Sequence, residues 1–195
     1  MFVYVRVKKS FMILNNLEEV GMVKKYNILV SCARGQESDA CSEIWYFINE
    51  LGDQDVQCDN TGIPGLVAVK TSLNAFEVVK KLKEMAMKDP WQFRYTLRYV
   101  PLEEVVSSKL DEIAETAAKL AEKIGENETF KIEVRKRYTT LSRTDIIEAA
   151  ASKIERKVNL SNPDWIVNIE VVGKWTGISV LRPGDILSIA KIREK

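Results

Sequence analysis

The 195-residue chain contains no histidine. Histidine is the usual general base near neutral pH and the commonest zinc ligand, so its absence argues against hydrolytic and zinc chemistry. Cysteine is scarce too. Cys32, Cys41 and Cys58 are odd in number and irregularly spaced, forming neither a CxxC pair nor the frame of a disulfide-stapled secreted domain. They read as free thiols of a cytoplasmic protein. No run approaches the ~18 apolar residues of a membrane helix. The first residues lack the apolar core and small-residue cleavage site of a signal peptide. Neither G-x-G-x-x-G nor G-x-x-x-x-G-K-[ST] occurs, so no phosphate-cradling cofactor loop is expected. Without a Cys–His or Ser–His pair, the chain reads as a non-enzyme without cofactor or metal.

What is present is an ordinary core and an uneven charge. Hydrophobic residues make up 46% of the chain, and the net charge is only +1. Pro101 to Glu128 nevertheless carries eight acidic and three basic residues, whereas Thr129 to Lys157 carries eight basic and four acidic ones. Gly173 to Lys195 adds five basic against two acidic. Such asymmetry implies one electropositive surface on a neutral body.

Residues 1–21 do not continue into the pattern that follows. Glu18-Glu19-Val20-Gly21-Met22 can be encoded by a ribosome-binding sequence just ahead of an ATG. Residues 1–21 are therefore expected to be a leader or to precede a true start at Met22. From there the pattern is regular. Asn27 to Ala33 reads as a buried strand, Gln36 to Leu51 as a helix closed by Gly52, and Val56 to Asp59 as a short strand. Leu66 to Val69 is a further strand. Leu73 to Met87 is a second helix, with Phe76, Val79, Lys80, Leu82, Lys83 and Met87 giving a pattern of core residues and lysine stems, and Phe93 to Val100 is a fourth strand. The order β-α-β-β-α-β is ferredoxin-like. Pro101 marks a boundary, and Leu102 to Ile124 reads as one long acidic helical stretch ended by Gly125.

The stretch from Thr129 to Leu181 organises the rest. Phe130 to Arg135 alternates apolar and polar as a half-buried strand and runs out into Arg135-Lys136-Arg137. Ser142 with Asp145 three residues on is a capping pattern, and Ile146, Ala150 and Ile154 form an apolar stripe, which predicts a helix of about four turns. Asn162-Pro163-Asp164 is expected to stop it and open a strand from Trp165 to Val172. Gly173-Lys174 is a two-residue turn, and Trp175 to Leu181 returns antiparallel. Ile186 to Ile192 reads as a last strand or a helix.

This arrangement resembles the THUMP domain, an RNA-binding module of tRNA-modifying proteins. The residues that carry the resemblance are Phe130 to Arg137, Asn159-Leu160 with Asn162-Pro163-Asp164, and the strand pair to Leu181. The family usually has an aspartate where Asn159 stands, and either side chain can make local backbone hydrogen bonds. The resemblance implies an α+β protein: an N-terminal ferredoxin-like domain over residues 22–100 followed by an α/β THUMP domain over residues 101–195. The chain resembles the THUMP-only tRNA acetylation adaptors, which help a separate acetyltransferase make N4-acetylcytidine. By that resemblance the THUMP face grips the single-stranded 3′ CCA end of tRNA, the first domain is a spacer, and the RNA acetyltransferase does the chemistry. Positioning of this kind asks no catalytic residue of the adaptor. Two other readings stay open: a subunit of an RNA-modifying enzyme with an unrecognised site, and a protein-interaction module whose basic patch meets an acidic partner.

The expected RNA-binding residues are Lys131, Arg135, Lys136, Arg137, Tyr138, Arg143, Lys153, Lys157, Lys174 and Arg182. Adjacent cations at Arg135-Lys136-Arg137 repel one another unless an anion screens them, and guanidinium suits phosphate. Arg143 lies in the first turn of the next helix, where free N–H groups also attract anions. Lys153 and Lys157 complement that helix's other end. Tyr138 offers a ring for stacking on a base, whereas Trp165 and Trp175 are expected to fill the core. Replacing Arg137 with alanine is expected to weaken RNA binding and leave the fold intact.

Overall fold

The computed structural model describes residues 26–194. The expectation for residues 1–21 lies outside them. In chain order the elements are β1 (Ile28–Cys32), α1 (Glu37–Glu50), β2 (Gln57–Asn60), β3 (Leu66–Lys70), α2 (Ala75–Lys88) and, after a single 3-10 turn, β4 (Thr96–Pro101). Then come β5 (Glu104–Ser107), α3 (Leu110–Ala121), β6 (Thr129–Arg137), α4 (Arg143–Ala151), β7 (Lys157–Val158), β8 (Trp165–Val172), β9 (Trp175–Leu181), β10 (Leu187–Ser188) and α5 (Ile189–Arg193). No helix among the described residues is long and apolar enough to cross a membrane.

The molecule is α+β, with two five-stranded sheets. The first has the order β10-β4-β1-β3-β2, with every neighbouring pair antiparallel. Its four N-terminal strands follow the ferredoxin-like pattern. The central strands β1 and β3 are almost wholly apolar because helices cover one face and the second sheet meets the other. Ile44, Phe47 and Ile48 from α1 and Val78, Val79 and Leu82 from α2 bury themselves against Ile28, Val30, Val67, Val69 and Tyr99. The Asn74 side chain caps α2 by accepting from the N–H groups of Phe76 (3.0 Å) and Glu77 (3.2 Å). Its core stripe runs through Ala75, Val78, Val79, Leu82 and Ala86, not through Phe76 and Met87, and Met87 is exposed.

The second sheet has the order β5-β9-β8-β6-β7. β6 and β8 are parallel and joined through α4, while the β8–β9 hairpin turns at Gly173-Lys174, with Gly173 at φ +59. The helices α3 and α4 cover one face of this sheet, where Ile113, Ala117 and Ile146 meet Phe130, Val134, Val167, Ile169 and Ile178. The other face meets the open face of the first sheet: Val105, Val172 and Trp175 pack with Leu29, Leu66, Val100 and Leu102. The chain passes between the sheets through Leu102 and Glu103 alone, and returns at its end, where β10 pairs with β4 and buries Leu187 and Ile189 in the first core. Ile186 to Ile192 thus supplies both a strand and a helix.

Three sequence expectations are corrected. Leu102 to Ile124 is not one helix: Glu104–Ser107 pairs with β9 as an edge strand, and only Leu110–Ala121 is helical. Its isolated apolar residues Val105 and Val106 are β-branched and fit a pleated edge. The helix after Ser142 spans nine residues, not about four turns, and ends at Ala151, well before Asn162. Cys41 and Cys58 are not free. Packing of α1 beside β2 brings their Cα atoms to 5.5 Å, within disulfide range, and they are bonded, while Cys32 is free and buried.

Candidate nucleic-acid interface

The carboxyl ends of β6 and β8 and the first turn of α4 meet at one end of the second sheet. Arg135 and Lys136 emerge there exposed. Tyr138 follows with φ +53, the one positive φ of a non-glycine among the described residues, and 73% of its surface is open. That conformation swings the chain off the sheet and turns the phenol outward. The hairpin tip lies alongside: the Gly173 N–H donates to the Arg137 carbonyl at 2.9 Å, leaving Lys174 exposed next to it. Lys136 Nζ donates to the Leu141 carbonyl at 2.8 Å and folds the loop back toward α4. Ser142 caps α4, its Oγ accepting from the Asp145 N–H at 3.5 Å, and Arg143 is exposed in the first turn. Six of the ten expected residues, Arg135, Lys136, Arg137, Tyr138, Arg143 and Lys174, therefore share this end.

The other four do not. β6 is nine residues long, about 26 Å from end to end at roughly 3.3 Å per residue. Lys157 pairs with Thr129 at its start. Lys153 follows the C-terminus of α4 and contacts Glu115 at 3.3 Å. Lys131 is two residues into the strand and 2.7 Å from Glu133. Arg182 lies just beyond β9, 2.8 Å from Glu128. The α4 crossover runs antiparallel to β6, and this geometry separates residues close in sequence.

Arg137 does more than face solvent. Its Nη1 lies 3.0 Å from Oε2 of Glu170, a carboxylate with no exposed surface. The other oxygen of Glu170 accepts from Arg98 Nη1 at 2.8 Å. Arg98 belongs to β4 of the first sheet, so this ion pair crosses between the sheets. Burial lowers the Arg98 pKa from its usual value, Glu170 opposes that shift, and Arg135 and Arg137 add to it. Neither Arg98 nor Glu170 was among the expected site residues. Glu170 had a signal: a carboxylate inside the apolar run Ile169-Glu170-Val171 must find a partner when buried. Arg98 had none.

At the far end Lys123, Lys153 and Arg182 are each paired with a glutamate. The Trp165 indole N–H donates to Glu128 Oε2 at 2.6 Å, and the Arg182 guanidinium covers the ring at 3.6 Å. The indole, the Gly125 N–H and Arg182 together hold the Glu128 carboxyl at about 2. Lys123 is bonded to Glu103 at 2.7 Å. Trp165 is thus half-buried and already stacked, and Trp175 is buried. The Asn159 side chain accepts from the N–H groups of Ser161 (3.1 Å) and Asn162 (3.0 Å), so it makes the local bonds expected of either side chain at that position.

Residues 107–181 match the THUMP domain family. No curated protein matches the chain. Among solved structures, PH1313 from Pyrococcus horikoshii Ot3 aligns with a TM-score of 0.56 and 15% identity over 83% of this chain and 55% of its own. A 4-thiouridine synthetase solved with RNA and ATP aligns with a TM-score of 0.55 and 15% identity over 84% of this chain and 42% of its own. A possible methylase from Clostridium difficile 630 aligns with a TM-score of 0.52 and 16% identity over 80% and 40%. The chain spans about half the length of these structures or less. At such identities the shared property is the fold. The β6–α4–β8–β9 unit, with the cationic end described above, lies within the residues 107–181 that match the THUMP domain family.

Proposed function

We propose that the protein is an RNA-binding adaptor that holds the 3′ CCA end of tRNA and presents the molecule to a separate acetyltransferase for N4-acetylcytidine formation. The observation that carries the RNA part is the group of exposed side chains, Arg135, Lys136, Tyr138, Arg143 and Lys174, around the N-terminus of α4 in a THUMP domain. Free N–H groups in the first helical turn and guanidinium groups both favour phosphate, and an exposed phenol accepts an unpaired base without sequence preference. The similar 4-thiouridine synthetase was solved with RNA, which supports the same ligand class. The adaptor role and the acetyltransferase rest on the resemblance to THUMP-only proteins. Lys131, Lys153, Lys157 and Arg182 belong to this reading only as contacts to more distant parts of the same RNA.

The test is fluorescence anisotropy with one tRNA, intact and with its CCA end removed, at one physiological salt concentration. Trimming is expected to weaken binding tenfold or more, about 1.4 kcal/mol. Equal affinity would mean that the cationic end reads phosphate charge alone, and the CCA assignment would fall. Acetyl transfer to tRNA by this protein alone would defeat the adaptor role.

A further inference from the structure

The open face of the second sheet is laid out in rows. Across β6, β8 and β9 the register places Glu133 beside Asn168 and Ser179, Arg135 beside Glu170 and Gly177, and Arg137 beside Val172 and Trp175. Parallel neighbours point the same way, so Arg135 and Arg137 flank Glu170 on this face. Gly177 has no side chain on the opposite flank. Leu102 fills the space over Gly177, and Arg98 reaches Glu170 from the first sheet. Arg98 and Arg137 each bind one oxygen of Glu170, and Arg135 makes no ion pair among the described residues. Two guanidinium groups thus bind one buried carboxylate, and Arg135 stands at the register position beside it. The neighbouring Glu133 contacts Lys131 at 2.7 Å.

This is more positive charge than one carboxylate neutralises. Glu170 fixes two of the guanidinium groups in place, and their remaining N–H donors are left oriented with little entropy still to lose. Side-chain exposure rises outward, from 0% at Glu170 through 12% at Arg98 to 25% at Arg137, and Arg135 is open. An anion arriving from solvent therefore meets the arginines before the carboxylate.

We propose that Arg98, Arg135 and Arg137, organised by Glu170, form a phosphodiester subsite at the junction of the two sheets, so that the first domain supplies an arginine to the RNA grip. The proposal rests on the RNA-binding reading and gives the first domain a binding role instead of a spacer role. It makes Glu170 the positioning residue of the subsite and Arg98 a direct contact.

The experiment is tRNA binding over a salt series for the full chain and four variants, with each fold checked by circular dichroism and melting. Arg98→Gln is expected to weaken binding about tenfold and to lower the slope of log affinity against log salt by about one, as for one lost phosphate contact. Arg98→Gln with Glu170→Gln removes the carboxylate that the single change strands, and is expected to keep the binding defect while regaining the melting temperature. Glu170→Gln alone keeps all three cations but loosens their positioning, and is expected to weaken binding severalfold with the salt slope unchanged; affinity equal to that of the unaltered chain would overturn the positioning role. Lys80→Gln, on the exposed surface of α2, is expected to change nothing. Unaltered affinity and slope in the Arg98 variants would overturn the subsite while the RNA reading stood. Recovery of binding in the double variant would reduce Arg98 to a structural clamp and overturn it equally. If Arg98→Gln alone fails to fold, the double variant decides. If the unaltered chain binds no tRNA, the RNA reading falls, and the subsite falls with it.

Discussion

Glu128 and Glu170 are both paired glutamates, but their surroundings lead to different expectations. Glu128 is held at about 2 by the Trp165 indole, the Gly125 N–H and Arg182, below the ~4.3 of an unfolded glutamate. Its folded pKa is depressed, so its contribution is complete above the unfolded value and is lost as pH falls from about 4.3 through about 2. The NMR resonance of the Trp165 indole N–H should therefore move with a midpoint near pH 2, and Trp165→Phe should raise the Glu128 midpoint. A midpoint at the ordinary glutamate value would mean that the three donors do not act together. Glu170 is buried, so its partners matter for folding. Arg137→Ala should cost about 1.5–3 kcal/mol in urea denaturation, the range for hydrogen bonds to charged groups, while Lys136→Ala should cost under about 0.5. Equal losses would show that Glu170 does not rely on Arg137. Arg137→Ala is still expected to weaken RNA binding without unfolding the protein, but at this cost in stability. The run Arg135-Lys136-Arg137 was legible as a cationic strand end. That one of the three turns inward was not, because its partner lies 33 positions away.

Element boundaries followed the sequence where a local signal closed them. β8 and β9 run from Trp165 to Val172 and from Trp175 to Leu181, as read from the pattern, because Gly173-Lys174 allows only a tight reversal between them. β5 was missed because four residues cannot display a period, and Glu104–Ser107 becomes a strand only when β9 offers an edge. The helix after Ser142 was overextended because Ile154 continues the stripe and is buried, although the backbone has already left the helix. Caps give a test at this scale. Asn74 accepts two N–H bonds, at 3.0 and 3.2 Å, whereas Ser142 accepts one at 3.5 Å. Asn74→Ala should therefore cost about 1 kcal/mol and Ser142→Ala about 0.5, measured by thermal melting. The reverse ranking would mean that α4 depends on its cap more than its packing suggests.

Over the whole molecule, the junction between the sheets leaves little free space. A Cβ at Gly177 would lie 2.7 Å from Leu102 Cδ1 and 2.8 Å from Cδ2, and Leu102 is buried in the cluster that joins the two sheets. Gly177→Ala should destabilise by about 1–3 kcal/mol through overpacking, and Leu102→Val in the same chain should recover part of the loss. No recovery would place the strain elsewhere than in this contact.

By itself the sequence determined the elements whose causes are local. These are the apolar runs of β1 and β3, the helices α1 and α2, the β8–β9 hairpin, and a strand ending in three cations. They add up to an α+β chain of ferredoxin-like order followed by a THUMP pattern. Only the tertiary structure decided what depends on distant neighbours. It joined Cys41 to Cys58 across the α1–β2 contact, returned Leu187 and Ile189 to the first core, and sent Lys153, Lys157 and Arg182 to the far end of the second sheet. It also brought Arg98 to Glu170. Periodicity and capping act within a turn or a strand and can be read along the chain. The partner of a buried charge is set by which sheet faces meet, and that is decided only when the whole chain has packed.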